Sequence, residues 1–186
     1  RRQRQMCIRD SIYGVGSASN SSTTRILFTK AQLDASGIKA GVIKSMSFFI
    51  SSRGQQNISE FSIKMGCTSS SDVRSDLILY PVFSTKAITC VLGTNKYTFD
   101  RGYDWDGVSN IIVEICSYNP TFSGTNSMST FDATTSAPNQ VAYRVSGTAG
   151  IRSCDLTSAW TVSGNFAGTK PVVSFEYCSV DSTSAS

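Results

Sequence analysis

The stretch Tyr103–Cys116, YDWDGVSNIIVEIC, decides the fold. Asp106-Gly107 is a turn pair: glycine takes backbone angles closed to other residues, and aspartate bonds the backbone N–H groups just ahead of it. Beyond the turn, Ile111, Val113 and Ile115 alternate with Ile112, Glu114 and Cys116, the period-two pattern of a strand. Both sets are mostly apolar, so the strand is expected to be largely buried, with Glu114 as a solvent-face residue. Trp105, just before the turn, is large enough to plug the end of a sandwich core.

Further segments carry the same signature on either side. Arg25–Thr29, Val42–Ser51, Ser59–Gly66, Leu77–Phe83, Ile88–Leu92 and Lys96–Phe99 read as strands before the turn, and Gln140–Val145, Trp160–Val162 and Val172–Tyr177 after it. In Ser59–Gly66, Phe61, Ile63 and Met65 share one face and Glu60, Ser62 and Lys64 the other. One helix is expected: Thr29 and Gln32 have the spacing of a capping box, and Gly37 suits the left-handed residue that closes a helix. Strands about ten residues apart with turn signals between them predict an all-β chain, a two-sheet antiparallel β-sandwich or jelly roll with one short helix. We divide it into an N-terminal basic arm (1–24), a β-sandwich domain (25–178) and a polar tail (179–186).

Charge separates the arm from the body. The 186 residues hold 17 Lys+Arg and 13 Asp+Glu, for a net +4, and only 16% are charged against about 25% in an ordinary domain. Arg1, Arg2, Arg4 and Arg9 account for the whole excess, so the body is neutral. A nucleic-acid binder carries its basic patch on the fold, so nucleic acid is not the expected partner. No apolar run approaches the roughly 18 residues of a membrane-spanning helix. An arm with basic residues and the apolar Ile8 and Ile12 suits docking on a neighbouring subunit or an anionic surface; the alternative is a solvated terminus.

Six cysteines without metal-ligand spacing suit three disulfides in an oxidising compartment, though buried thiols remain an alternative. The sequence does not select among the pairings. Cys7–Cys178, Cys67–Cys90 and Cys116–Cys154 are taken as the expected set, the first tying the two ends together.

Histidine is absent, which removes Ser-His-Asp and Cys-His catalysis and every His-ligated metal site. No cofactor-binding motif stands out. Asp104, Asp106 and Glu114 leave a carboxylate-based glycosidase as the one enzymatic alternative. Asp104, Asp106 and Gly107 match part of an EF-hand loop but fail at both of its ends, so calcium would need a different site, drawn from Asp100, Asp104 and Asp106. Tyr118 and Trp160, with Phe122, Phe131 and Tyr143, are candidate aromatic platforms for a sugar ring. Asn20 and Asn57 fit the N-glycosylation pattern, and Ser11 and Ser182 a short Asp-Ser O-glycosylation pattern.

Four ordered motifs resemble one family. They are Arg25–Leu33 with Ala35–Ile43 (RILFTKAQL, ASGIKAGVI), Phe61–Thr68 (FSIKMGCT), Trp105–Cys116 (WDGVSNIIVEIC) and Lys170–Val172 (KPV). Together they are similar, over roughly residues 25–176, to a β-sandwich module of large secreted and surface proteins from gliding, type IX-secreting bacteria. The resemblance implies an extracellular, mostly non-enzymatic module of adhesive or structural use and carries no catalytic residues. The expected function is an extracellular, non-catalytic structural or adhesive surface protein, self-assembling into a filament or sheath through its arm. A carbohydrate-binding module is the alternative, with polysaccharide as partner.

Overall fold

The computed structural model describes residues 4–6, 21–52, 57–120, 129–130, 139–148, 150–162 and 173–179. In chain order these form β1 (Arg4–Met6), β2 (Ser21–Phe28), α1 (Lys30–Ala35), β3 (Gly41–Ser52), β4 (Asn57–Thr68), β5 (Tyr80–Thr89), β6 (Gly93–Trp105), β7 (Asn110–Tyr118), β8 (Ser129–Thr130), β9 (Val141–Ser146), a 3₁₀ turn (Ser153–Asp155), β10 (Thr161–Val162) and β11 (Val173–Ser179). Every pairing is antiparallel. One sheet runs β1-β11-β3-β6, with β8 also on β3, and the other runs β10-β9-β2-β7-β4-β5. This is the expected all-β sandwich.

The two sheets bury alternate residues against each other. Ile26 and Phe28 of β2, Phe61, Ile63 and Met65 of β4, and Ile111, Val113 and Ile115 of β7 meet Ile43, Met46, Phe48 and Ile50 of β3 and Phe175 of β11. Phe28 meets Phe175 edge to face across the gap at 5.4 Å between ring centroids. Phe61 lies 4.9 Å from Tyr97 of β6. Each such side chain contributes about 1.5–3 kcal/mol on burial, so this layer dominates the stability.

The Asp106-Gly107 turn carries the chain from one sheet to the other, from β6 to β7. Asp106 accepts from the backbone N–H groups of Val108 and Ser109 at 2.9 and 2.8 Å, and Gly107 has φ 76°. Trp105 is 2% exposed, and its indole N–H donates to the Ser109 carbonyl. Helix α1 begins in the expected capping box of Thr29 and Gln32.

Among the boundaries that differ from the sequence reading, including Lys96–Phe99, which extends to Gly93–Trp105, and Ser179, which belongs to β11, three bear on the site. Ser21–Thr24, assigned to the arm, are buried in β2, because Ser/Thr side chains here bond neighbouring strands instead of water. Leu77–Phe83 and Ile88–Leu92 are not two strands: Tyr80–Thr89 is one strand, and Leu77 and Leu79 pack on the outside of the six-stranded sheet. Arg4–Met6 of the arm pairs with Phe175–Val173 of its own chain.

Candidate functional site

Glu114, Tyr118, Trp160 and the Cys116–Cys154 pair lie on or over the outer face of the six-stranded sheet, whereas Asp100 and Asp104 stand on β6 of the other sheet and Asp106 just past it. On the outer face, β2 and β7 turn their alternate residues away from the core, yet these are buried too. Leu27, Val73, Ile112 and Ala142 form a second apolar cluster, packed by Leu77, Leu79 and Trp160. Two segments make this roof, residues 69–79 and 150–160. Gly66 lets the first one close, because a Cβ there would stand 2.5 Å from the Ile78 carbonyl oxygen.

The second roof segment is fastened by side chains. The Ser153 hydroxyl lies 2.8 Å from both the Ser21 and Thr23 hydroxyls, and its backbone N–H donates to Ser21. Beside them Cys116 and Cys154 form a disulfide with Cα atoms 5.9 Å apart. That expected pairing is therefore present.

The expected Cys67–Cys90 pairing is not formed. Cys67 and Cys90 sit at opposite ends of β4. Cys67 is the residue before Thr68, while Thr89, next to Cys90, faces Asn57. Ten strand residues separate the positions, about 33 Å, far beyond the roughly 7 Å a disulfide bridges. Cys67 is instead a thiol, with the Tyr103 hydroxyl donating to its sulfur at 2.9 Å. Burial raises the pKa of both groups. Cys178 is exposed and outside any disulfide among the described residues, and Cys7 lies outside them. Met6, next to Cys7, faces Val173, five residues from Cys178 along β11.

Glu114, expected on a solvent face, is 7% exposed. Its carboxylate accepts from Arg25 Nε at 2.7 Å, and Lys64 lies 3.9 Å from the other oxygen. The Arg25 and Arg144 guanidinium groups lie 4.4 and 3.8 Å from the Trp160 ring centroid. Burial and the nearby Arg25 charge lower the Arg144 pKa. Period-two reasoning placed Glu114 on the correct face; a loop from distant sequence then roofed that face.

Of the sugar-platform candidates, Tyr118 is buried, and Trp160 and Tyr143 are half-buried. Trp160 is engaged by two arginines, and Tyr118 is 8% exposed with Arg152 at 5.2 Å from its centroid. Tyr118 does line a groove of about 590 Å³, with Glu60, Lys64, Lys86, Arg152 and the Cys116–Cys154 disulfide. Four charged side chains of this groove are paired within the chain. Arg152 forks onto both Glu60 oxygens at 2.7 and 2.6 Å, Lys86 pairs with Asp100, and Lys64 reaches Glu114.

Nor are the calcium candidates gathered. Asp100 holds Lys86 and the Ser84 N–H, which bring its pKa down to about 2. Asp106 is bound up in its own turn, and Asp104 stands on the β6 edge. Among the described residues no three Asp, Glu, Cys or His side chains form a metal-sized group. Asp104, Asp106 and Glu114 likewise form no paired acid site: Asp106 is engaged by Ser109, and Glu114 by Arg25.

Asn57 is exposed at the start of β4, its side-chain oxygen accepting from the Thr89 hydroxyl. Arg1, Arg2, Ile8, Ser11, Ile12, Asn20, Phe122, Phe131 and Ser182 lie outside the described residues.

The sequence reading missed a second cleft, of about 280 Å³, between the edge strands β5 and β6. Tyr80, Pro81, Val82, Arg101, Gly102, Tyr103 and Asp104 line it. Tyr80 is 56% exposed. The sequence pattern makes it one residue of a strand, and only its place on an open sheet edge distinguishes it.

No family model matches this chain, and no curated protein or solved structure is significantly similar to it.

Proposed function

We propose that this protein is a non-catalytic extracellular surface protein of structural or adhesive use, which assembles with copies of itself through its N-terminal strand. One observation carries the reading. Arg4–Met6 lies on the edge of a sheet as a three-residue strand, in register with Val173–Phe175, and fourteen residues separate it from β2. Backbone pairing at a sheet edge does not distinguish the chain's own strand from that of a neighbour, so the same three pairs can form between copies. A chain that receives one arm and donates its own grows into a linear polymer. The clamped outer face supports a structural role, since its charged and aromatic groups are spent on holding the roof. The Cys116–Cys154 disulfide supports an oxidising, extracellular setting.

Light scattering after size exclusion, with electron microscopy of the same fractions, tests the assembly. The full chain is expected as multi-subunit particles, and a variant lacking residues 1–6 as a folded monomer by circular dichroism. A full chain that stays monomeric at every concentration, or a truncated chain that assembles equally well, would overturn it.

A further inference from the structure

In the 590 Å³ groove Glu60, Lys64, Lys86 and Arg152 are ion-paired within the chain; in the smaller cleft the charged side chains are not. Arg101, Asp104 and the Tyr80 hydroxyl make no side-chain hydrogen bond or ion pair among the described residues. They surround an aromatic ring with more than half of its surface in water. Pro81 and Val82 continue the apolar floor beside it, and Tyr103 closes the cleft from within. A flat apolar ring, an acceptor and a fork of donors therefore stand around one hollow of about 280 Å³, just below the range of about 300–1,000 Å³ typical of small-molecule clefts.

That combination matches the surface of a pyranose. One face of such a ring is a patch of C–H groups, which packs on an aromatic face, while its rim of hydroxyls both donates and accepts. Asp104 accepts from two adjacent hydroxyls, and Arg101 donates to ring or hydroxyl oxygens. One acid against one base leaves the cleft without net charge, which favours a neutral sugar over an acidic one. We infer that the β5–β6 cleft is a saccharide-binding site for one or two neutral sugar units, with Tyr80 as stacking platform and Asp104 and Arg101 as hydroxyl partners. It uses neither Tyr118 nor Trp160. It lies at the sandwich edge opposite β1, so it stands apart from assembly and is tested apart from it.

The experiment is titration of the full chain with a panel of neutral oligosaccharides built from glucose, mannose, xylose, galactose or N-acetylglucosamine, read by calorimetry and by chemical-shift changes. At least one member is expected to bind saturably. Tyr80→Ala and Asp104→Asn should each weaken that binding tenfold or more, Tyr80→Phe should largely keep it, and Lys86→Ala, in the other groove, should leave it unchanged. Tyr80 and Asp104 are exposed, so these variants should keep the parent circular dichroism spectrum. No saturable binding across the panel, or binding lost with Lys86→Ala and kept with Tyr80→Ala, would overturn the assignment.

Discussion

The two halves of the six-stranded sheet treat their outer faces in opposite ways. Over β2 and β7 the face is roofed, and its ion pair joins buried Glu114 to the largely covered Arg25. Around Glu60 of β4 and Lys86 of β5 the face is open, and both sit in water with their partners, Arg152 of the 150–160 segment and Asp100 of β6. The pairs look alike as contacts but differ in consequence. Breaking a buried pair strands a charge where water cannot reach it, whereas breaking an exposed pair returns both partners to solvent. The roofed half is therefore built to hold, and the open half and its edge are free to bind.

The largest expected effect lies under the roof. Glu114→Ala should cost about 3 kcal/mol, because the largely covered Arg25 is left with no counter-charge. Urea unfolding measures it, and a loss below about 1 kcal/mol would place Glu114 with the exposed pairs. Next is the disulfide. Its cysteines are 38 residues apart, and Cys154→Ser should cost roughly 2–4 kcal/mol and release the roof around Ser153. Hydrogen exchange read along the chain should show the added opening confined to residues 150–160 and the β2–β7 outer face. Uniform loosening would mean that the sheet, not the roof, depends on the bond.

A smaller effect is expected at the turn that joins the sheets. Asp106→Ala removes an acceptor for two backbone N–H groups and should cost about 1 kcal/mol by thermal unfolding. The exposed pairs should appear instead in the pH dependence. Hydrogen bonds from Lys86 and Ser84 lower Asp100, and those from Arg152 lower Glu60. A carboxylate held below its unfolded value, 3.8 for Asp100 and 4.5 for Glu60, contributes stability that is complete above that value. The contribution disappears as the pH falls through the folded value, about 2 for Asp100. Asp100→Asn should flatten the unfolding midpoint between about pH 4 and 2 and leave it nearly unchanged at pH 7. A profile as steep as that of the parent would show that Asp100 is not held down. The smallest effect is expected at the cleft, where Tyr80→Ala should change stability by less than about 0.5 kcal/mol, whatever it does to saccharide binding.

Much of the fold was legible because strand burial leaves a two-residue rhythm. Ile111, Val113 and Ile115, and likewise Phe61, Ile63 and Met65, fall on the core side where alternation placed them. Trp105, the Asp106-Gly107 turn and the Thr29 cap were legible because each acts on residues within a few positions. The site was legible only in its members. Tyr118, Trp160 and Glu114 stand out in the sequence as chemically able residues, but their exposure depends on partners from Arg144, close to Trp160 in sequence, to Arg25, near the other end of the chain. Tyr80 was passed over because nothing local marks a strand as the last in its sheet.

By itself, then, the sequence determined the sandwich: its alternation, its turn residues and its one capped helix are local features that need no knowledge of distant contacts. Tertiary structure alone decided which cysteines meet, which acid is buried and which aromatic faces water. Those outcomes rest on strand order and register, since β4 sets Cys67 and Cys90 at opposite ends and the folding-over of residues 150–160 covers Glu114 while β5 is left at the edge. A rhythm of two shows which way a side chain points, and only the packed chain determines what stands in front of it.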